Sequence, residues 1–390
     1  MINPANYKGR EQTYVKHFFL DRYLERVAHV TLARPNTWDE FVYIDAYSGP
    51  WRAQGESSED TSVHIALTKL AAVRSNLARI GRRVRTKALF VERDPRAFSE
   101  LRHLLSQFPD DAAHSIHGDF KDYGQQAARF VGGSAFSLTF IDPTGWNVDL
   151  QAMRPVLRLR GEVLINFMYD YVNRILTNPD AKIQHQLDSF FGGVGWLEEI
   201  NSKLAMGSDR EMAIVSVYAA RLKDIGGFQH VTHTRIMKPQ ADRTYFYLIY
   251  ATRHWRGLEE FRDVEEQALE AQEHVRFDAR LDAKEAKSGM DDLLRSVSDP
   301  PGLRALRQRK TQMEALAPDV FRNLLAATPQ FRAVEALSGM MELPLVSRKV
   351  AVQLLMQAVG ANIADLELGP RERTPKETTV VRSRIFQSNR

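Results

Sequence analysis

The spacing of apolar positions predicts a helix at the start of the chain. Between residues 12 and 27, Tyr14, Phe18, Phe19, Tyr23 and Leu24 recur at steps of four and one, the stripe of an amphipathic helix laid over something larger. Such a helix is expected to serve as a lid or entry helix. Residues 41–47 form a short apolar run containing Asp45, followed by the turn Ser48-Gly49-Pro50 and a helical stretch over 64–80. This strand, loop and helix unit recurs, with strands predicted at 87–92, 114–117, 136–142 and 162–169 and a helix at 95–108. Near-continuous apolar strands separated by helices imply a parallel sheet covered on both faces. The predicted class is α/β, with a doubly wound, mostly parallel, Rossmann-like sheet.

Further along, β-rich runs at 229–237 and 244–252 flank a loop with Lys238-Pro239 and Asp242, and predict an antiparallel pair closing the sheet edge. Residues 259–295 carry many charges, no proline and one late glycine, so an exposed helix or linker is expected there. Asp299-Pro300-Pro301-Gly302 marks a boundary. Short helices are predicted at 319–327, 331–340 and 347–357, with β segments at 363–368 and 378–382 around Gly369-Pro370, a pattern like a winged helix. The expected division is a sheet domain over 1–258, a charged helical linker over 259–300 and a winged-helix-like domain over 301–390.

Composition narrows the chemistry. At 390 residues, 44% hydrophobic and 26% charged, the chain is globular and long enough for two cores. Cysteine is absent, which excludes disulfides, thiolate metal sites and a cysteine nucleophile. No apolar run approaches the roughly 20 residues of a membrane helix, so a cytoplasmic protein without membrane contact is expected. Residues 303–390 hold 14 basic against 8 acidic residues, more than the whole chain's surplus of +4. This concentration points either to a polyanion contact or to a solvated basic face.

Ligands of an open parallel sheet lie outside the carboxyl ends of its strands. Asp45, Glu92, Asp119 and Asp142 each end or closely follow a predicted strand. Tyr47-Ser48-Gly49 lets backbone amides approach a ligand, and Asp45 offers an acceptor to a cofactor amine. Glu92 can take both hydroxyls of a ribose. Asp119 and Phe120 can serve the edge and face of an adenine, while Asp142-Pro143 would face the reacting group. Each carboxylate alone also reads as a turn or helix cap. Neither a G-x-G-x-x-G nor a G-x-x-x-x-G-K-[ST] run is present, so an adenosine-bearing cofactor held without a phosphate loop remains. S-adenosylmethionine meets that description.

These segments together resemble the three-Cys-motif partner proteins, bacterial and phage proteins with the class I S-adenosylmethionine-dependent methyltransferase fold. The resemblance spans most of the first 260 residues. It rests on Lys16-His17 with Tyr23-Leu24, on residues 43–50, on Glu92 with Asp94-Pro95, on Gly118-Asp119, on residues 140–145 and on residues 247–254. It implies a separate partner protein bearing three cysteines. The chain departs from the family at Trp51, where a second glycine is usual and an indole crowds the methionine end unless it points away.

Methyl transfer needs chiefly alignment of acceptor and methyl group, with Asp142 orienting an amine or taking its proton. Asp142-Pro143-Thr144-Gly145 lacks the stacking aromatic of the Asp-Pro-Pro-aromatic motif, and Trp146, one residue late, either substitutes for it or packs inside. Asn166, Tyr169 and Asp170 are candidates for the acceptor side, Asn166 foremost. His114, His117, His233 and His254 show no metal-ligand spacing, and no metal is expected. Arg348-Lys349 at the start of the last helix, with Arg371 and Arg373 in the expected wing, are candidate DNA or RNA contacts. Two readings stand: a methyltransferase acting on nucleic acid or with a nucleic-acid-modifying partner, or a non-catalytic Rossmann-fold subunit of a cysteine-motif, iron-sulfur or radical-type protein.

Overall fold

Alternation along the strands places two hydrophobic cores. In β1 (Glu40–Asp45), Phe41 and Tyr43 enter one core while Val42 and Ile44 enter the other. The computed structural model describes residues 2–35, 37–49, 60–109, 112–143, 145–288, 300–370 and 372–386. After a 3-10 turn (Pro4–Tyr7), α1 (Glu11–Ala33) leads into β1, α2 (Ser62–Arg79), β2 (Arg85–Glu92), α3 (Pro95–Leu105), β3 (Ala113–His117), α4 (Phe120–Val131), β4 (Phe136–Ile141), α5 (Arg154–Leu157) and β5 (Gly161–Phe167). Helices α6 (Tyr169–Ile175), α7 (Ala181–Phe191), α8 (Trp196–Ala205) and α9 (Arg210–Gly226) precede β6 (His230–Met237) and β7 (Thr244–Thr252).

Among the described residues these strands form one seven-stranded sheet in the order β3-β2-β1-β4-β5-β7-β6. Strands β1 to β5 pair in parallel, and β7 runs antiparallel to both neighbours, inserted between β5 and β6. The expected pair is therefore present, with β6 alone at the edge. Helices α1, α2 and α3 pack on one face and α4, α7 and α9 on the other, so the sheet is doubly wound as the apolar runs predict. Strand order reverses between β1 and β4, which opens a crevice at their carboxyl ends.

Helix α1 is no lid. Tyr14, Phe19, Tyr23 and Leu24 are buried in the core, where Phe19 lies 4.9 Å from Phe261. The charged segment after β7 also departs from expectation, because α10 (Trp255–Ser288) is one long helix that buries Arg262, Glu265, Gln272, Glu273 and Arg276. Its charges pair inward. Arg262 meets Glu265 at 2.6 Å and donates to the carbonyls of Met341 and Glu342; Glu265 accepts from Thr234 at 2.5 Å and from the Leu345 amide at 2.9 Å. Lower down, Arg276 joins Glu273 and Asp242, each at 2.7 Å. No helix among the described residues is long and apolar enough to cross a membrane.

Beyond α10 come α11 (Pro301–Ala327), β8 (Gln330–Arg332), α12 (Ala333–Met341), α13 (Arg348–Gly360), β9 (Ala364–Glu367) and β10 (Val380–Ser383). The short helix expected at 319–327 is the end of a much longer one, which runs through Pro318 and buries Ala317, Phe321 and Leu325. Three antiparallel strands, in the order β8-β10-β9, lie beside these helices. Val381 joins Phe321, Leu337 and Leu355 in a third hydrophobic cluster.

Because Arg262 and Glu265 are both buried, Glu265→Ala should cost about 3–5 kcal/mol by leaving a cation unpaired, whereas Arg262→Met with Glu265→Leu should cost less. Urea unfolding midpoints check this, and a double variant weaker than the single one would contradict it.

Candidate functional site

The crevice at the strand-order reversal gathers most of the sequence-predicted residues, though not all in the expected roles. Asp45 closes β1 with no solvent exposure, and its carboxylate is taken up by Ser62 Oγ at 2.8 Å, the Tyr47 amide at 3.3 Å and Tyr43 Oη at 3.4 Å. It therefore sits beneath the first loop and holds it, rather than lining the crevice. Burial pushes its carboxyl up to about 6; the hydrogen bonds oppose this and the nearby Asp142 charge adds to it.

Above that loop lies a hollow of about 470 Å³ bordered by Lys16, His17, Ser48, Asp142, Asn166 and Phe246. Asp142 is clasped from two sides: Asn166 Nδ2 donates to Oδ1 at 2.6 Å, and Lys16 Nζ bonds Oδ2. Among the described residues, Asn166 Oδ1 is buried without a partner. Beside them the His17 ring is pushed down to about 3 by burial, with the Lys16 charge adding and Asp142 opposing. It is thus neutral, and its Nδ1 lies 3.1 Å from Tyr7 Oη.

A smaller hollow of about 40 Å³ adjoins the first across Tyr47, Gly49 and Pro143, and is bordered by Glu92, Asp119 and Phe120. The Tyr47 ring stands 6.4 Å from Phe120 with its hydroxyl on the Asn147 carbonyl at 2.9 Å, so it partitions the crevice. Gly49 has a steric reason: a Cβ there would lie 2.3 Å from Glu92 Oε2. Glu92 Oε1 accepts the Asp94 amide at 2.6 Å, and Asp119 Oδ1 caps α4 through the Lys121 amide at 3.3 Å. Glu92 spends one oxygen on its local turn and turns the other towards Gly49, whereas Asp119 Oδ2 also lies 3.8 Å from Lys121 Nζ and 3.9 Å from the Arg93 guanidinium.

The remaining predicted residues lie elsewhere. Trp146 packs against Phe190 and stacks on Tyr171. Tyr169 is buried edge-on to Tyr247, and Asp170 pairs with Lys238 at 2.8 Å. His117 stacks on Phe98, His114 meets Phe130 and His233 meets Tyr247. Arg348 turns back onto α10, 5.9 Å from the Trp255 ring and 3.7 Å from Glu259, while Lys349 and Arg373 are exposed. Pro50, Trp51, Thr144 and Arg371 lie outside the described residues. Site reasoning from sequence missed the placement of Lys16, His17 and Ser62. The available signal was Lys16-His17, two polar residues inside an otherwise apolar helical stripe.

No family model matches the chain, and no curated protein does. Solved structures are similar in part. A Legionella pneumophila protein of family DUF519 shares 11% identity over 67% of this chain and 92% of its own, with a TM-score of 0.37. A putative O-methyltransferase from Klebsiella pneumoniae shares 14% over 60% of this chain and 78% of its own, at 0.31. A loganic acid methyltransferase with SAH shares 8% over 98% of this chain and 97% of its own, at 0.32.

Asp45 titrates in the folded chain above its ordinary value of 3.8, at about 6. Folding thus favours its protonated form: the contribution is fully present below about pH 4 and is lost as pH rises through about 6. Asp45→Asn should flatten that part of the stability profile, as read from urea midpoints between pH 4 and 7. An unchanged slope would contradict the assignment.

Proposed function

We propose that the chain is an S-adenosylmethionine-dependent methyltransferase with a class I fold, related to the three-Cys-motif partner proteins that its motifs resemble. The observation that carries this reading is a crevice at the reversal of strand order, whose two adjoining hollows are bordered by the clasped carboxylate of Asp142 and by the carboxylates of Glu92 and Asp119. Two features fit such a cofactor. Gly49 is kept bare by Glu92, so backbone and carboxylate approach as a ribose cradle needs, and Asn166 Oδ1 is a buried acceptor awaiting a donor. Glu92 would take the ribose hydroxyls, Asp119 and Phe120 the adenine, and Ser48-Gly49 the methionine end.

The cofactor supplies an activated methyl group on a sulfonium. The chain then has to position the acceptor. Asn166 and Lys16 fix the Asp142 carboxylate in one orientation, leaving lone pairs that accept an N–H or O–H of the acceptor. Phe246 and Met168 supply an apolar wall that limits water. A second reading, a binding subunit without transfer activity that supports a cysteine-bearing protein, is favoured by the narrowness of the hollow beside Glu92, which Tyr47 closes.

Calorimetry with S-adenosylmethionine separates the two. The wild type should bind saturably and Glu92→Ala at least about ten-fold more weakly, a loss of roughly 1.4 kcal/mol or more. No heat from the wild type would remove the methyltransferase and leave the binding subunit. With binding established, Asp142→Asn should abolish transfer of a labelled methyl group to nucleic acid.

The proposed acceptor is nucleic acid or a partner bound to it. Supporting this is the C-terminal order of helices and antiparallel strands, which suits a winged helix, with Lys349 and Arg373 exposed. Lys349→Ala with Arg373→Ala should lower the salt slope of duplex DNA binding by about 2. Arg348→Ala should change it little, because that side chain is held on Trp255. Gel retardation across a salt series checks both, and an unaltered slope in the double variant would remove the assignment.

A further inference from the structure

At the other end of the sheet, α1, the first residues of β4 and β5, and the start of α10 enclose a separate hollow of about 160 Å³. Val27, Val30, Trp38 and Phe136 give it apolar and aromatic walls, and Glu162 reaches it from β5. Glu162 is only 4% exposed. Its hydrogen-bond donors are neutral hydroxyls, Tyr23 Oη to Oε2 at 2.7 Å and Thr252 Oγ1 to Oε1 at 3.2 Å. No Lys, Arg or His among the described residues forms an ion pair with it, although a buried carboxylate is ordinarily neutralised or matched by a cation. The charged groups nearby are engaged or outward: Glu260 with Arg26, Arg256 with Glu377 at 3.1 Å, Arg160 over the Trp38 ring at 5.9 Å, and Arg34 exposed. With Tyr250 as a third hydroxyl donor, the carboxylate still keeps lone-pair capacity. Gly257 makes room at the α10 start, where a Cβ would lie 2.1 Å from Glu162 Oε1.

We propose that this hollow is a second ligand site, and that it takes a small protonated amine with a compact apolar or aromatic body, whose ammonium supplies the counter-charge Glu162 lacks. Trp38 and Phe136, edge-on to each other at 5.7 Å, give aromatic surface for the hydrocarbon part, with Arg160 already 5.9 Å from the Trp38 ring. The site lies at the amino ends of the parallel strands, away from the crevice at their carboxyl ends, so it stands or falls separately from the methyltransferase reading.

Burial pushes the Glu162 carboxyl up to about 7, against the hydrogen bonds from Tyr23, Tyr250 and Thr252. Burial also holds the Tyr23 and Tyr250 phenols in their neutral form and lowers His254, which borders the hollow. Amine binding is therefore expected to weaken as pH falls through about 7, when Glu162 takes a proton.

Calorimetric titration of the full chain with benzylamine hydrochloride and with benzyl alcohol tests the proposal. Benzylamine should bind saturably at pH 8, at least ten-fold more tightly than benzyl alcohol, and at least five-fold more tightly than at pH 5.5. Glu162→Gln should lose ten-fold or more while keeping a folded circular dichroism spectrum. Should that variant not fold, Val30→Phe, which fills the hollow and leaves Glu162 in place, should abolish binding. No saturable benzylamine binding, equal binding of the alcohol, or full binding by either folded variant would overturn the assignment.

Discussion

Helix α1 is fixed to the sheet by two polar contacts on one face, and the crevice depends on that seam. Lys16 reaches Asp142 at the carboxyl end of β4, and Tyr23, about two turns later, reaches Glu162 near the amino end of β5. The helix consequently runs antiparallel to the parallel strands it covers. Between the contacts lies aromatic packing, with Phe261 of α10 at 4.9 Å from Phe19 and stacked on Tyr250 at 4.5 Å. A helix tied near its start and at its middle, and buried along much of one face, cannot hinge as a lid does. It is a wall, and it brings Lys16 and His17 into the crevice with small conformational freedom left to lose.

The same logic governs α10. Arg262 and Glu265 leave water together, and their remaining hydrogen-bonding capacity is met by β6 and by the chain after α12. Such pairs add little net stability compared with apolar side chains of the same shape. What they do define is position: a register error at this junction would strand both charges. The edge strand β6 is further engaged by Glu342, through His230 at 2.7 Å and Thr232 at 2.9 Å. Contacts of this kind cover part of an edge that would otherwise be free to pair with another chain.

The alternation and length of the apolar runs made the parallel strands readable, because a strand buried on both faces has few polar substitutes. The carboxylates at their ends were readable for the same reason, since a charge directly after such a run must lie at the rim. Other features depended on tertiary partners that local sequence does not reveal. The charges of α10 read as solvent-facing, and only the positions of Thr234 and Leu345 show why Glu265 can be buried. The helix expected at 319–327 was drawn too short, because apolar packing of Ala317 and Phe321 carries α11 through Pro318. Asp45 looked like a ligand group, but Ser62, contributed by the next helix, draws its carboxylate under the loop. Tyr47 could be expected beside the crevice from sequence, but not as the partition between two hollows.

Polar groups at the carboxyl ends of parallel strands are common to this architecture, whereas the amino ends are usually free to be apolar. Glu162 breaks that asymmetry. Its position as the second residue of β5 puts it among Val27, Trp38 and Phe136, where hydrocarbon side chains would pack without any need for compensation. Three hydroxyls and a glycine opposite are arranged around it, and all four would be unnecessary beside a leucine. A carboxylate so accommodated, yet given no cation, is harder to account for by packing than Asp142, whose Lys16 supplies the matching charge. The two ends of the α1 seam thus differ in one physical respect: at the carboxyl rim the charge is paired from within the chain, and at the amino rim it is solvated by neutral donors alone.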